Sequence, residues 1–159
     1  NALLDDWALK HIGKPFDRNG WLAALGMPDK KWLQAFLKHP YFKKKPPKSL
    51  DREAFARFVP KHKVPPDGAA TLAAMTALSI VEGFKHLPKR PRFLAVTGGG
   101  RKNAELMRLL AKESGVKVMA VEKKFLNGDA LEAEAFAYLA ARVLKNLPIT
   151  FKGTTGRKK

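Results

Sequence analysis

Three consecutive glycines, Gly98-Gly99-Gly100, close a short apolar run and are followed at once by Arg101, Lys102 and Asn103. Glycine lets a backbone approach a ligand with no Cβ in the way. A helix starting just beyond it offers unpaired N–H groups and a partial positive charge. That combination suits a nucleotide phosphate. The string is neither G-x-G-x-x-G nor G-x-x-x-x-G-K-[ST], so taken alone it fits a tight structural turn as well. Arg101 and Lys102 add positive charge, and Asn103 is placed either to cap the helix or to touch a ligand.

The other reactive side chains are sparse. Glu132 and Glu134 lie two positions apart on a helix rich in small residues, so they point in different directions and do not form a catalytic pair by spacing. His11, His39, His62 and His86 show no ligand spacing, and no metal site is expected. The chain has no cysteine, which excludes disulfides, thiolate zinc sites, iron–sulfur clusters and cysteine nucleophiles. Tyr41 and Phe42 stand beside Lys43, Lys44 and Lys45, the pattern of a basic groove with stacking rings, although burial of both rings is the plainer reading. Trp7, Trp21 and Trp32 fall in helical patterns and read as core.

Positioning these groups requires a regular framework. Apolar spacing predicts helices over 2–11, over 21–25 and from Pro28-Asp29 through Trp32, Leu33, Phe36 and Leu37. Residues 41–49, with two prolines and four lysines, read as an extended polyproline-like segment, followed by a short helix over 51–58. Asp67 reads as the N-cap of a long helix to about His86, with Leu72, Met75, Ile80 and Phe84 on its buried stripe. A strand over 92–97, the glycine turn, a helix over 102–114 and a strand over 116–121 make a βαβ unit with a parallel pair. Asp129 reads as the cap of a last helix over 130–144, and the tail from Pro148 as irregular. The fold class is α/β: a small sheet with packed helices.

With 159 residues the chain is long enough for one lobe with its own core. It divides into a mostly helical, basic part over 1–67, an α/β part over 68–147 and a basic tail over 148–159. No apolar run reaches the roughly 18 residues a membrane span needs, and the start shows no leader pattern. The net charge of +17 is the unusual quantity. Residues 38–63 alone carry nine basic side chains against Asp51 and Glu53. Such an excess fits either a solvated basic surface or contact with nucleic-acid phosphates. On the second reading Lys43, Lys44, Lys45, Lys48, Arg157, Lys158 and Lys159 are the RNA-contact candidates.

Several strings occur together and in order: Asn1-Ala-Leu-Leu-Asp-Asp-Trp, His39-Pro-Tyr-Phe with Pro46-Pro-Lys-Ser-Leu-Asp-Arg-Glu-Ala-Phe, and Ala70-Thr-Leu-Ala-Ala-Met-Thr-Ala. They continue with Gly98-Gly-Gly-Arg-Lys-Asn, Gly128-Asp-Ala-Leu-Glu-Ala-Glu-Ala-Phe-Ala and Gly153-Thr-Thr-Gly. Over essentially its whole length the chain resembles the C-terminal portion of the anhydro-N-acetylmuramic acid kinases, particularly their alphaproteobacterial members. The resemblance implies the sugar-kinase/actin/Hsp70-like fold, with this chain as its C-terminal lobe. It also implies hydrolysis of a 1,6-anhydro ring coupled to phosphorylation of the sugar, with ATP and magnesium. It places Gly98, Gly99, Gly100 and Asn103 on the nucleotide side and Glu132 toward the sugar.

Two features of that family's pattern are not in this sequence. The phosphate-binding glycine loop belongs to an N-terminal lobe. The catalytic aspartate belongs to an Asp-Thr-Gly-Pro-Gly-Asn segment of which only the last residue, Asn1, is present. The loop before Gly128 carries Lys123, Lys124, Phe125 and Leu126 where the family pattern has a glycine, and a phenylalanine there stands to obstruct a ligand. No catalytic residue and no cofactor are therefore expected in this chain alone. Combined with the charge, this gives the leading expectation: a degenerate kinase lobe reused as an RNA-contacting scaffold in a nucleoprotein assembly such as a mitochondrial ribosome, in the mitochondrial matrix. The alternative is the C-terminal half of an active ATP-dependent anhydro-N-acetylmuramic acid kinase, completed by an N-terminal lobe and cytoplasmic as in bacteria. A third is a non-catalytic subunit of another large complex.

Overall fold

A computed structural model describes residues 1–61 and 64–155. Helix α1 (Ala2–Ile12) ends where Gly13 turns left-handed and its N–H returns to the Leu9 carbonyl. Helix α2 (Trp21–Ala24) is started by the buried Asp17, whose carboxylate accepts from the N–H groups of Leu22 at 2.8 Å and Ala23 at 3.0 Å. Helix α3 (Lys30–Leu37) has Asp29 as its cap, accepting from the Trp32 N–H. Helix α4 (Pro65–Gly83) begins two residues before the expected Asp67. Pro65 and Pro66 occupy its first turn, where a missing N–H costs nothing, and Asp67 instead accepts from the Met27 N–H.

Helix α4 is the axis of the fold. Residues 68–75 are all buried, and α1, α2, α3 and α5 pack around it. Its alanines and Gly68 permit the close approach: a Cβ on Gly68 would overlap the Trp7 ring. Leu72 and Met75 join this core as expected, but Ile80 is exposed and Phe84 half-buried, because the packed length of the helix ends near Ala77. Trp7 is buried and Trp32 half-buried. Trp21 is exposed, contrary to expectation, since in so short a helix Leu22 and Ala23 supply the inward face.

The 41–49 segment starts as a 3-10 turn (Pro40–Lys43) rather than extended chain, because burial of Phe42 against Phe36 pulls it inward. The following 51–58 stretch is likewise a 3-10 element (Arg52–Phe58), and Phe36, Phe42, Phe55 and Phe58 meet edge-on or stacked.

Strand β1 (Phe93–Val96), the glycine turn, α5 (Ala104–Ser114) and β2 (Lys117–Ala120) form the expected βαβ unit. The strands pair in parallel, with Phe93 opposite Lys117 and Val96 opposite Ala120. Helix α5 lays Leu106, Leu109 and Leu110 into the same buried cluster as Leu4, Trp7 and Leu72. The first 67 residues and the α/β part therefore share one core. Helix α6 (Leu131–Leu144) buries no residue, and a helical turn, α7 (Lys152–Thr155), interrupts the tail expected to be irregular. None of the described helices is long and apolar enough to cross a membrane.

Candidate functional site

The turn between β1 and α5 is built as the glycines demand. Gly98 adopts φ 70° and ψ −174°, a region that is essentially glycine's alone. A Cβ on Gly98 or Gly99 would meet nothing within 4 Å, so the turn faces open space. Next to it lies a cleft of about 350 Å³ lined by Asn1, Asp5, Phe16, Asn19, Gly99, Gly100, Lys102 and Asn103, among others. Asn103 does cap α5, its Oδ1 accepting from the Leu106 N–H at 2.9 Å, and it also borders the cleft. Gly20, left-handed at φ 74°, makes room for it: a Cβ there would strike the Asn103 side chain and Glu105. The turn-rich composition of residues 14–20, ending in Asn19-Gly20, marks a turn before α2 but not its contact with Asn103.

Arg101 behaves differently from expectation. Its guanidinium is not charge offered to a ligand, since the side chain is only 5% exposed and is fully engaged inside the protein. Nε donates to Glu122 at 2.7 Å, Nη2 meets Asp129 at 2.9 Å, and Nη1 donates to the Gly98 carbonyl at 2.8 Å. Lys102 also donates to both oxygens of Asp129. Glu122 and Asp129 hold the Arg101 charge on, pushing its pKa up. Asp129 is pulled below the ordinary carboxylate range by Lys102 and then Arg101. Glu122 is lowered by its own backbone N–H and then by Arg101.

This cluster also corrects the reading of Asp129 as a helix cap. The start of α6 is organised instead by Asn127, whose Oδ1 accepts from the N–H groups of Asp129 and Ala130. Asp129 is drawn to the two cations. An Asn-Gly-Asp string was the available signal for such an Asx turn. Gly128 is buried against the ion pair, and a Cβ on it would collide with Arg101 and Glu122.

Glu132 is exposed in the first turn of α6 and lies outside the residues lining the cleft. Phe125 has φ 61°, the left-handed conformation a glycine there would take, and its ring is wholly exposed. Among the RNA-contact candidates, Lys43, Lys44 and Lys45 are exposed. Lys48 is not available: its ammonium donates to the Tyr41 carbonyl, meets His86 Nε2 at 3.1 Å and lies over the Tyr41 ring. Tyr41 is half-buried and Phe42 buried, so neither ring offers a stacking surface. Arg157, Lys158 and Lys159 lie outside the described residues. Among the described residues, no group of three His, Asp or Glu is placed to hold a metal ion.

A helical α/β chain with a two-stranded parallel sheet and an open glycine turn beside a cleft is consistent with a sugar-kinase-like domain. The family model for anhydro-N-acetylmuramic acid kinase matches residues 1–159, and the chain belongs to that family. Anhydro-N-acetylmuramic acid kinase of Rhodopseudomonas palustris (strain HaA2) is 46% identical over 157 residues, covering 98% of this chain and 43% of the relative. The kinase of that name from Nitrobacter winogradskyi is 47% identical over 159 residues, again 43% of its length, and that from Paramagnetospirillum magneticum is 46% identical over 45% of its length. The chain thus spans less than half the length of these curated relatives and corresponds to a C-terminal portion. The pseudoenzyme, RNA-binding, ribosomal and mitochondrial expectations find no support in these comparisons.

Proposed function

We propose that this chain is the C-terminal half of an ATP-dependent anhydro-N-acetylmuramic acid kinase, the C-terminal lobe of an actin-like fold that closes on ATP and the sugar together with an N-terminal lobe. The observation that carries the reading is the Gly98–Gly100 turn, held open beside a cleft that Asn1 also lines. In the family pattern Asn1 ends the segment bearing the catalytic aspartate. A chain continuing upstream from Asn1 would therefore bring that aspartate toward the glycine turn. There the aspartate would serve as general base for the attacking water, while backbone groups of the turn and the flanking Lys102 receive the nucleotide. Asn103 fixes where α5 starts, and Glu132 would approach the sugar from α6. No group of three His, Asp or Glu is placed to hold a metal among the described residues, and a magnesium ion accompanying ATP would rest chiefly on the phosphates and water.

Helix α6 supports the same reading. Phe136 and Val143 lie seven residues apart on one face of the helix and are exposed, as are Leu144 at its end and Leu147, Ile149 and Phe151 beyond it. Glu132 begins that face, one turn before Phe136. A helix carrying so much uncovered apolar surface is shaped to pack against further protein. The test is to join the chain to the part of the R. palustris relative that precedes the matched region and to follow phosphoryl transfer from ATP to the anhydro-sugar. Turnover is expected, with Gly99→Val lowering it about 100-fold by displacing the nucleotide. No turnover by a folded joined protein, or turnover indifferent to Gly99→Val, would remove the chain or the turn from that role.

A further inference from the structure

We infer that Arg101 is a positioning residue that couples the glycine turn to the start of α6, so that the nucleotide side and Glu132 respond as one unit. The inference rests on the kinase reading only for what those two sides bind.

The coupling follows from which segments the one guanidinium joins. Through Nη1 it holds the carbonyl of Gly98, the residue with the glycine-only backbone conformation. Through Nε it holds Glu122, in the turn that follows β2. Through Nη2 it holds Asp129, two residues before α6 begins. A planar fork sends donors from three separate nitrogens in fixed directions to a carbonyl and two carboxylates, whereas an ammonium's donors all radiate from one atom. The Arg101 side chain is covered by its partners, while Glu122 and Asp129 remain open to water on their outer sides.

Two further contacts tie the same segments. Thr97, at the end of β1, donates to the Gly128 carbonyl at 3.4 Å, and Lys102 reaches Asp129. Gly128 has no side chain because the Arg101–Glu122 pair occupies that space. Glu132 then follows after three residues, and the Asx turn at Asn127 fixes the intervening backbone. A shift at Gly98 is therefore transmitted through rigid, fully bonded groups rather than through a flexible loop.

The test is hydrogen exchange on the chain itself, comparing the wild type with Arg101→Met and Arg101→Lys. Arg101→Met is expected to speed exchange roughly tenfold or more in residues 98–103 and 127–132 together, while the amides of α4 keep their protection and report that the fold survives. Arg101→Lys should recover one segment at most, because one ammonium cannot span all three partners. Gly128→Ala provides a second approach, displacing the guanidinium without removing it and giving the same paired loosening. Exchange that rises in only one segment under Arg101→Met, or in neither, would overturn the coupling.

In the joined kinase, ATP should lower the KM for the anhydro-sugar, and Arg101→Met should abolish that dependence while Arg101→Lys partly restores it. An ATP dependence unchanged by Arg101→Met would also overturn the coupling. Turnover by the joined protein with a sugar KM that ATP leaves unchanged would likewise overturn the coupling, whereas paired loosening in the chain with no turnover at all by the joined protein would count against the kinase reading alone.

Discussion

Phe125 carries a side chain where the backbone favours none. At φ 61° and ψ 26° it is left-handed, which costs an L-residue about 1–2 kcal/mol. Its ring is fully exposed, so replacing it forfeits no burial. Phe125→Gly removes the strain but adds about 0.5–1 kcal/mol of chain entropy to be lost on folding. The net expectation is a gain of about 0.5–1 kcal/mol. Phe125→Ala keeps a Cβ and therefore the strain, and should lie within about 0.5 kcal/mol of the wild type. Urea unfolding reads the difference. With a slope of about 2 kcal/mol per molar, Phe125→Gly should raise the midpoint by about 0.3–0.5 M and Phe125→Ala should not. Equal midpoints for the two variants would refute the assignment of strain to the backbone. A fall with both would show that the ring is buried against something.

Two further outcomes follow from the same geometry. Gly68→Ala improves helix propensity by about 1 kcal/mol, yet its Cβ would overlap a Trp7 ring that is buried and held by its Nε1–H to the Pro65 carbonyl at 2.8 Å. Overpacking of a core costs about 1–3 kcal/mol, so the midpoint of thermal unfolding should fall by several degrees, and a rise would refute the close packing. Acid should loosen the Arg101 cluster. Glu122 and Asp129 have pKa values below the ordinary range, so their contribution is complete above the unfolded values near 4 and is lost as pH falls through the folded ones. Arg101 stays charged throughout that window. Amide shifts of Gly98–Gly100 should therefore move below about pH 4, and Arg101→Met should remove that movement.

Local rules made much of the framework readable. The βαβ unit was legible because its signals agree: a short apolar run, three glycines, Asn103 before a periodic helix and Gly115 after it. Helix α4 was legible as a helix but not in its start, since an acidic cap and a Pro-Pro first turn compete and only the contact from Met27 to Asp67 decides between them. Trp21 misled because helical spacing does not say which face of a four-residue helix turns inward. Lys48 misled for a related reason: composition records a charge but not that Tyr41 and His86 enclose it. The Arg101 cluster was beyond local reading. It joins residues 98, 101, 122 and 129, and no spacing rule links an arginine to carboxylates 21 and 28 positions away.

Charge and exposed apolar area, taken together, fit the proposed lobe. A chain selected only to meet phosphates would gain from cationic side chains left in water, as Lys43–Lys45 are. Here Arg101, the cation at the most constrained point of the fold, is neutralised by two carboxylates and spent on backbone geometry. Lys102, at the edge of the cleft, shares one of those carboxylates. Exposed apolar side chains gather on α6, at Phe136, Tyr138, Val143 and Leu144, beyond that same cluster. An arginine holding the glycine turn in register with the base of an uncovered helix has a purpose when something binds at the turn and something packs on the helix. The proposed kinase reading, with a nucleotide at the turn and a second lobe packing on the helix, calls for both.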